Sequence, residues 1–224
     1  MSSAEVARAL SPRGEVTLHR RDRDGLDVLE LRVNGVFVMD TLETTSERAL
    51  ATRALDVVDS PAHVLVGGLG LGYTLAAVLA DPRVEEVTCV ELEESLVSWA
   101  RDGTVPHGPA LLADTRTQLV VGDVAEVLAA AEPATYDLVL LDVDNGPGYL
   151  VHDHNAALYE APFLAIAARA TRQVLAVWSA APSDVLQAAM RSVIGNCTAA
   201  SYDVVLGGRP ETYWLYVSRT RATR

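Results

Sequence analysis

Residues 64–72, VLVGGLGLG, decide the fold of this chain. The first half is a β-branched, apolar run typical of a buried strand, and it breaks into a glycine cluster that leads directly into the helical stretch 73–80. Glycine allows a sharp turn between strand and helix, and it allows a ligand to approach the backbone closely. The stretch therefore predicts a nucleotide-binding turn, with Gly67, Gly68, Gly70 and Gly72 as its cofactor-binding residues.

The segments that follow alternate between strand and helix patterns. Strands are predicted at 63–66, 86–90, 118–121, 136–141 and 174–178, and helices at 71–80, 93–101, 124–131, 156–170 and 183–194. Two last strands, 200–206 and 212–218, are joined by a short Gly-Gly-Arg-Pro turn. Such alternation implies a parallel sheet covered on both faces. We therefore expect an α/β, doubly wound, Rossmann-like sheet of seven strands that ends in an antiparallel hairpin.

A smaller unit precedes this sheet. Short strand patterns at 15–20, 26–33 and 36–39 are joined by Asp24-Gly25 and Asn34-Gly35, which are strong hairpin signals. A helix is expected from Ser46 to about Val58, before Pro61. The sequence thus predicts an antiparallel N-terminal β-lobe at 1–45 and a nucleotide-binding domain at 46–224.

Composition limits the partners and the compartment. The formal charge of −12 disfavours nucleic acid, and no apolar run approaches the roughly 18 residues of a membrane helix. The N-terminus lacks the apolar region of a signal peptide. Cys89 and Cys197 show neither metal spacing nor a disulfide framework, so both are expected to be buried thiols. We expect a cytoplasmic protein that acts on a small molecule, with no nucleic-acid or membrane partner.

Acidic residues follow two of the predicted strands. Glu91 lies 19 residues beyond Gly72, where a carboxylate can meet the two hydroxyls of a ribose. Asp123 lies just past the strand at 118–121 and can accept a hydrogen bond from an exocyclic amine, which would select adenine. Both positions also suit a carboxylate that caps the next helix, and Glu93 or Glu94 could cap in place of Glu91.

A third acidic segment, YDLVLLDVDNGPGY, ends the strand at 136–141 with Asp142 and Asp144. Ligands of open α/β sheets bind beyond the carboxyl ends of strands, so this loop should face the reactive part of the ligand. Two neighbouring carboxylates can hold an amine, orient it or take its proton. Asp142 and Asp144 are therefore the candidate catalytic residues, and the alternative is a solvated, Asp-rich turn.

Further residues are candidates for substrate binding. Tyr149, His152, His154 and Tyr159 could line the acceptor site. Glu43 and Glu47 could close over it, unless they simply start a solvated helix. The His152-x-His154 spacing offers only two imidazoles, so no metal is expected. The three tryptophans are expected in the core.

These motifs together resemble the spermidine synthase family of aminopropyltransferases, within the class I S-adenosylmethionine-dependent methyltransferase superfamily. The resemblance rests on NGVFVMDTLE, VLVGGLGLG, CVELEESLV, the GD of VVGD, YDLVLLDVDNGP and NAALYEAPFLAIAARA. It implies S-adenosylmethionine or its decarboxylated form as co-substrate, with Glu91 on the ribose, Asp123 near adenine and Asp142 assisting the attacking amine. It also implies a homo-oligomer, a dimer or a tetramer, of which the homodimer is favoured.

The chain departs from the family pattern at three places. Gly70 stands where the family motif GGGDGG has an acid that helps to hold the donor's aminopropyl ammonium, the D-S-S-D-P loop is shortened to DVDNGP, and the acidic element before the nucleotide domain appears only as TTSERALAT. These losses argue against putrescine as acceptor. A glycine turn at a helix N-terminus would instead suit the α-carboxylate of intact S-adenosylmethionine, which is the favoured donor.

The expected activity is transfer of an alkyl group, either methyl or aminopropyl/aminocarboxypropyl, from the sulfonium to a small-molecule nucleophile. Three alternatives stay open: a polyamine aminopropyltransferase that uses the decarboxylated donor, an intramolecular cyclase that releases methylthioadenosine, and a non-catalytic protein that binds an adenosyl ligand. An NAD-dependent oxidoreductase is disfavoured, because Tyr73 occupies the position of the third fingerprint glycine.

Overall fold

The N-terminal strands form a separate four-stranded antiparallel sheet. The computed structural model describes residues 3–147, 150, 153–206 and 209–220, without the side chains of Ser3, Asp153 and His154. The sheet has the order β1-β2-β3-β4, with β1 (Ser3–Ser11), β2 (Gly14–Arg23), β3 (Leu26–Val33) and β4 (Val36–Asp40). The predicted turns have positive φ at Asp24, Gly25, Asn34 and Gly35, as a two-residue type I′ hairpin requires. We call this sheet the β-lobe.

The second sheet has seven strands in the order β10-β11-β9-β8-β5-β6-β7. Its strands are β5 (His63–Gly67), β6 (Glu86–Glu91), β7 (Thr117–Val121), β8 (Tyr136–Leu141), β9 (Thr171–Ser179), β10 (Thr198–Leu206) and β11 (Arg209–Arg219). The strands β5 to β9 run parallel, while β11 is antiparallel to both β9 and β10. The predicted α/β sheet with its C-terminal hairpin is confirmed. The division into two domains at residue 45 stays a prediction.

Helices cover both faces of this sheet. They are α1 (Thr45–Leu55), α2 (Tyr73–Leu79), α3 (Glu94–Asp102), α4 (Gly108–Ala113), α5 (Val124–Ala130), α6 (Ala161–Ala170) and α7 (Asp184–Ile194), with a 3-10 helix at Asp153–Tyr159. Two large apolar clusters, one on each face, bury the central strands β5 and β8. Cys89 and Cys197 are free and buried, as expected. Among the described residues, no helix is long and apolar enough to cross a bilayer.

Three local elements differ from the sequence prediction. The strand β1, SAEVARALS, was not expected, because its alanine and charged residues are poor strand formers and it lies at the sheet edge. The helix α4 was also missed, because Gly108-Pro109 suggests a turn, although proline is well tolerated in a first helical turn. The predicted helix 156–170 is divided: Pro162 lies in the first turn of α6, and the residues before it form the 3-10 helix.

Candidate active site

A cleft lies at the carboxyl edge of the parallel strands, beneath the β-lobe. Its volume is about 980 Å³, part of which is open to solvent. The chain leaves β5 toward β6 and β7 and then returns to β8 on the other side, so the cleft lies at the topological switch point where open α/β sheets bind ligands. The β-lobe supplies an apolar wall that consists of Leu31, Val33, Val38 and Met39.

Acidic side chains dominate the polar part of the cleft. None of the described residues that line it is Arg, Lys or His. A concave site lined by charges of one sign concentrates ligands of the opposite sign. The cleft is therefore suited to cationic ligands, and its six acidic residues are Glu47, Glu91, Glu93, Asp123, Asp142 and Asp144.

Glu91, the last residue of β6, is buried at one end of the cleft. Its Oε2 accepts hydrogen bonds from the backbone N–H of Leu69 at 2.8 Å and of Gly70 at 3.3 Å, and its Oε1 accepts one from the N–H of Glu93 at 2.7 Å. Burial raises the pKa of Glu91, although these three N–H donors lower it. The carboxylate thus holds the glycine turn in place besides facing the cleft.

The glycine turn has no free backbone N–H group from Gly68 to Gly72. The N–H groups of Leu69 and Gly70 donate to Glu91, those of Gly68 and Gly72 donate to Val90 O and Leu69 O, and that of Leu71 donates to the Met39 sulfur at 3.2 Å. The Met39 sulfur also lies 2.7 Å from the position of a Cβ on Gly70. From Gly68 to Gly72, the turn therefore offers no unoccupied backbone N–H group to an α-carboxylate.

The four predicted cofactor glycines have different surroundings. Gly68 and Gly70 line the cleft, and both have positive φ. Gly67 packs against Val124, and Gly72, the residue that starts α2, faces Leu111 on the far side of the turn. Gly67 and Gly72 thus shape the turn, whereas Gly68 and Gly70 are the two positioned to contact a ligand.

Asp123 caps a helix and also lines the cleft, so its position is compatible with both predicted functions. It precedes α5, and its Oδ1 accepts a hydrogen bond from the Ala125 N–H at 2.7 Å, so it is the N-cap of that helix. The residue is also exposed and lines the cleft. The cap therefore leaves the outer part of the carboxylate accessible to a ligand.

Asp142 and Glu47 form a pair of interacting acids at the middle of the cleft. Asp142 follows β8, and its Oδ2 accepts a hydrogen bond from the Thr74 hydroxyl at 2.7 Å. Burial raises the pKa of Asp142 to about 6. The hydrogen bond from Thr74 opposes this increase, and the negative charge of Glu91 adds to it. Burial and then the charge of Asp142 raise the pKa of Glu47 to about 7. These two carboxyls therefore exchange protons near neutral pH.

Asp144 is held by hydrogen bonds from the loop after β8 and from the 3-10 helix. Its Oδ1 accepts a hydrogen bond from the Asn145 N–H at 2.6 Å, and its Oδ2 accepts one from the Asn155 side chain at 2.7 Å. The side-chain amide of Asn145 donates in turn to Phe37 O in β4 at 3.3 Å. The loop after β8 is therefore connected to the β-lobe, and Asp144 is buried at the wall of the cleft.

The predicted substrate-binding residues are only partly described. Glu43 is half-buried, accepts a hydrogen bond from the Thr45 N–H and is not among the lining residues. Tyr159 lies in the core, and its neighbour Leu158 lines the cleft instead. Tyr149, His152 and the side chain of His154 lie outside the described residues. Among the residues with described positions, no cluster of three or more metal-ligating side chains occurs.

Of the two acids expected to close over the site, Glu47 lines the cleft and Glu43 does not. Trp178 and Glu93 also line the cleft, and neither was proposed as a site residue from the sequence. Trp178 is in the core as expected, but it also lines the cleft, and its buried Nε1 has no hydrogen-bond partner among the described residues. Glu93 is 6% exposed, and its Oε1 accepts a hydrogen bond from Arg13 Nε at 2.6 Å. The Arg13 contact joins residues 80 positions apart, and no local pattern indicates it.

Comparison with known proteins identifies relatives that are named as methyltransferases or aminopropyltransferases. Putrescine N-methyltransferase 3 of Nicotiana tabacum is 32% identical over 146 residues, which are 64% of this chain and 36% of that protein. Polyamine aminopropyltransferase 2 of Caldanaerobacter subterraneus subsp. tengcongensis is 30% identical over 148 residues, which are 60% of this chain and 49% of the relative. The chain thus spans between about a third and a half of the length of these relatives.

The fold is shared more widely than the sequence. A crystal structure of spermidine synthase in complex with the transition-state analogue AdoDATO superposes with a TM-score of 0.82 at 16% identity, over 97% of this chain and 74% of that one. The profile described as "Spermine/spermidine synthase domain" matches residues 43–192, which include α1, the glycine turn and all six acidic residues of the cleft. The chain belongs to the spermine/spermidine synthase domain family.

Proposed function

We propose that this protein transfers an alkyl group from an adenosyl sulfonium donor to a small amine. The observation that carries the proposal is the acidic cleft with no basic side chain among its described lining residues. A sulfonium and an ammonium are both cations, so six carboxylates around one cavity suit this pair of substrates. The named relatives, a putrescine N-methyltransferase and a polyamine aminopropyltransferase, support an amine as acceptor.

Asp142 is the residue we assign as proton acceptor. The Thr74 hydroxyl orients this carboxylate through Oδ2, which leaves Oδ1 to take a proton from the ammonium of the acceptor. The freed lone pair attacks a carbon on the sulfonium, the C–N bond forms and the C–S bond breaks. The sulfur keeps the electron pair and becomes a neutral thioether, so the cleft mainly has to align the two substrates.

The pKa values fit this assignment. With its pKa at about 6, Asp142 is mostly ionised at neutral pH, whereas Glu47, at about 7, is only partly ionised. A carboxylate with a raised pKa is a stronger base than a solvated one, and it still keeps its charge at pH 7. Glu47 and Asp144 would then hold the cationic acceptor next to Asp142, and the apolar face of Trp178 would contact its carbon chain.

The opposite end of the cleft is the proposed adenosyl site. Glu91 would accept hydrogen bonds from the ribose hydroxyls, and Asp123 would accept one from the exocyclic amine of adenine. Gly68 and Gly70 would allow the donor to approach the backbone. The apolar β-lobe wall would cover the sugar and base, which excludes water from the reacting atoms.

The donor can carry a carboxylate or lack it. The sequence favoured intact S-adenosylmethionine, because Gly70 replaces an acid that the family uses for the donor's amine. The occupied N–H groups of the turn and the lack of a basic residue among the described lining favour the decarboxylated form, whose tail has only an ammonium. Transfer of an aminopropyl group from that donor is therefore the second candidate beside methyl transfer.

The deciding experiment incubates the purified protein with each donor and a panel of amines, including putrescine, and identifies products by mass spectrometry. S-adenosylhomocysteine with a methylated amine establishes methyl transfer. Methylthioadenosine with a lengthened amine establishes transfer of the propyl chain, and methylthioadenosine without any modified acceptor establishes cyclisation. If neither donor is consumed and neither binds, the proposal is wrong.

We also propose that the protein is a cytoplasmic homodimer that associates through the β-lobe. The two cysteines are free thiols, which suits a reducing compartment. The β-lobe carries exposed apolar side chains, of which Leu10 is 79% exposed and Leu26 54% exposed. Light scattering coupled to gel filtration measures the mass of the assembly, and Leu10→Ser should reduce it to that of one chain.

A further inference from the structure

The adenosyl end of the cleft contains an acidic side chain that the proposed donor contacts do not use. Glu93 is 6% exposed and lines the same cleft as Glu91. Its Oε2 is buried and accepts no hydrogen bond from the residues that the structure describes. A buried carboxylate oxygen without a donor is costly, so such an atom at a cavity wall is expected to serve a ligand.

The carboxylate of the neighbouring Glu91 has few hydrogen-bond acceptor positions left for a ligand. A carboxylate offers about four acceptor positions, and the N–H groups of Leu69, Gly70 and Glu93 already occupy three of those on Glu91. A ribose diol donates two hydrogen bonds. Glu91 alone therefore serves about one of the two hydroxyls while it also holds the turn.

Glu93 is held in place by the β-lobe. Arg13, in the turn between β1 and β2, donates from Nε to Glu93 Oε1 at 2.6 Å and from Nη2 to Leu92 O at 2.7 Å. The Ser11 hydroxyl donates to the same Oε1 at 3.3 Å. One oxygen is thus fixed by a charged, directional contact, and the other is the unpartnered atom of a side chain that lines the cleft.

We propose that Glu93 is a second ribose-binding carboxylate and that Arg13 positions it from the β-lobe. This inference rests on the proposed function, because it assigns the unused oxygen to the ribose of the adenosyl donor. Glu91 and Glu93 then accept one hydroxyl each. The β1–β2 turn, which is remote from the reacting atoms, becomes part of the donor site.

Calorimetric titration with methylthioadenosine and with its 2′-deoxy and 3′-deoxy analogues tests this assignment. Glu93→Gln should weaken binding of methylthioadenosine about 10- to 100-fold, the range for one hydrogen bond to a charged group. Against the deoxy analogue that lacks the hydroxyl in question, the same substitution should change the affinity less than about threefold. Glu94→Gln removes the same charge one residue later at an exposed position and should leave every affinity within about twofold.

Arg13→Gln tests whether Arg13 affects binding by positioning Glu93 or by a general effect on the folded structure. It should weaken methylthioadenosine binding several-fold in the native background and have little further effect in the Glu93→Gln background, while Arg13→Lys restores part of the loss. Thermal unfolding of each variant confirms that the chain is folded. If Glu93→Gln leaves the affinity unchanged, or weakens all three ligands equally, the inference is wrong although the proposed function stands. If the native protein binds no adenosyl ligand, both are wrong.

Discussion

Asp142 is the residue on which the proposed chemistry depends. Asp142→Asn keeps an acceptor for the Thr74 hydroxyl but cannot take a proton, so kcat should fall about 10²- to 10⁴-fold. Donor affinity, measured by calorimetry, should change only a few-fold because the adenosyl contacts lie elsewhere in the cleft. Turnover equal to that of the native protein would exclude Asp142 as the proton acceptor.

Glu47 should affect stability in a way that depends on pH. Burial raises its pKa from 4.5 to about 7 in the folded chain, so the folded state binds the proton more tightly than the unfolded state. The stability that this difference contributes is complete below about pH 4.5 and is lost as the pH rises through 7. Glu47→Gln cannot ionise, so it should be more stable than the native protein above neutral pH, by on the order of 1–3 kcal/mol.

Urea denaturation at about pH 5 and about pH 8 measures this effect. The advantage of Glu47→Gln should grow with pH, whereas Glu94→Gln, at an exposed position, should follow the native protein at both. If Glu47→Gln raises the free energy of unfolding equally at both pH values, ionisation of Glu47 does not destabilise the folded chain.

The sequence indicated some site residues and not others for a physical reason. Asp123 and Asp142 follow strands directly, so strand order alone brings them to one edge of the sheet. The sequence indicated Glu43 and Glu47 together, but only Glu47 lines the cleft, because the packing of α1 against the sheet decides which acid faces it. The position of Glu93 depends on its contact with Arg13 of the β-lobe. Glu91 accepts hydrogen bonds from the N–H groups of Leu69 and Gly70, and the Met39 sulfur accepts one from Leu71. The glycine spacing does not indicate these contacts.

At the scale of elements, substitutions at Asp123 distinguish its contribution to capping α5 from its proposed contact with the ligand. Asp123→Ser preserves an N-cap for α5, so unfolding free energy should stay within about 0.5 kcal/mol, whereas Asp123→Ala should cost about 1 kcal/mol. Both substitutions should weaken adenosyl binding if the carboxylate contacts adenine. Calorimetric affinity that is unchanged in Asp123→Ser would assign Asp123 to the cap alone.

The strand-to-helix turn after β5 depends on glycine at position 68. Gly68 has a φ of +94°, and a Cβ there would lie 1.9 Å from the carbonyl oxygen of Asp142. Gly68→Ala should therefore destabilise the chain by more than about 2 kcal/mol in urea unfolding. Gly122→Ala is the matched control for stability, because its Cβ would meet no atom within 4 Å. Equal unfolding free energies for the two variants would contradict this account of the turn.

The elements that the sequence predicted correctly are those whose pattern is set by burial. The strands β5 and β8 are continuous apolar runs because helices cover both their faces, and the hairpin turns of the β-lobe contain glycine because φ is positive there. The edge strand β1 and the short helix α4 are supported by tertiary contacts rather than by periodicity. For this reason the sequence pattern did not reveal them.

At the scale of the whole molecule, the β-lobe and the nucleotide domain share a core. Val16, Leu18, Leu31 and Val33 of the lobe pack with Leu71, Leu96 and Trp99 of the domain, and Leu31 and Val33 also line the cleft. The chain should therefore unfold in one transition. An adenosyl ligand at about 100 times its Kd should raise the free energy of unfolding by about 2.7 kcal/mol.

Leu31→Ala tests this shared core. The residue is 1% exposed, so the substitution should cost about 2–5 kcal/mol in calorimetric or urea unfolding and should weaken adenosyl binding as well. Val185→Ala, in α7 and 79% exposed, should change stability by less than about 0.5 kcal/mol. Two separate transitions, with only one of them shifted by ligand, would show that the lobe folds independently.

The acidic lining of the cleft also bears on how products leave. In the proposed reaction, the donor arrives with a positive sulfonium, and after transfer the sulfur is a neutral thioether. The carboxylates around it therefore attract the reactant more strongly than the spent nucleoside, and the reaction itself removes part of the force that holds the nucleoside. If the proposed function holds, the protein should release its adenosyl product readily. Added salt should then weaken binding of the donor far more than it weakens inhibition by the product.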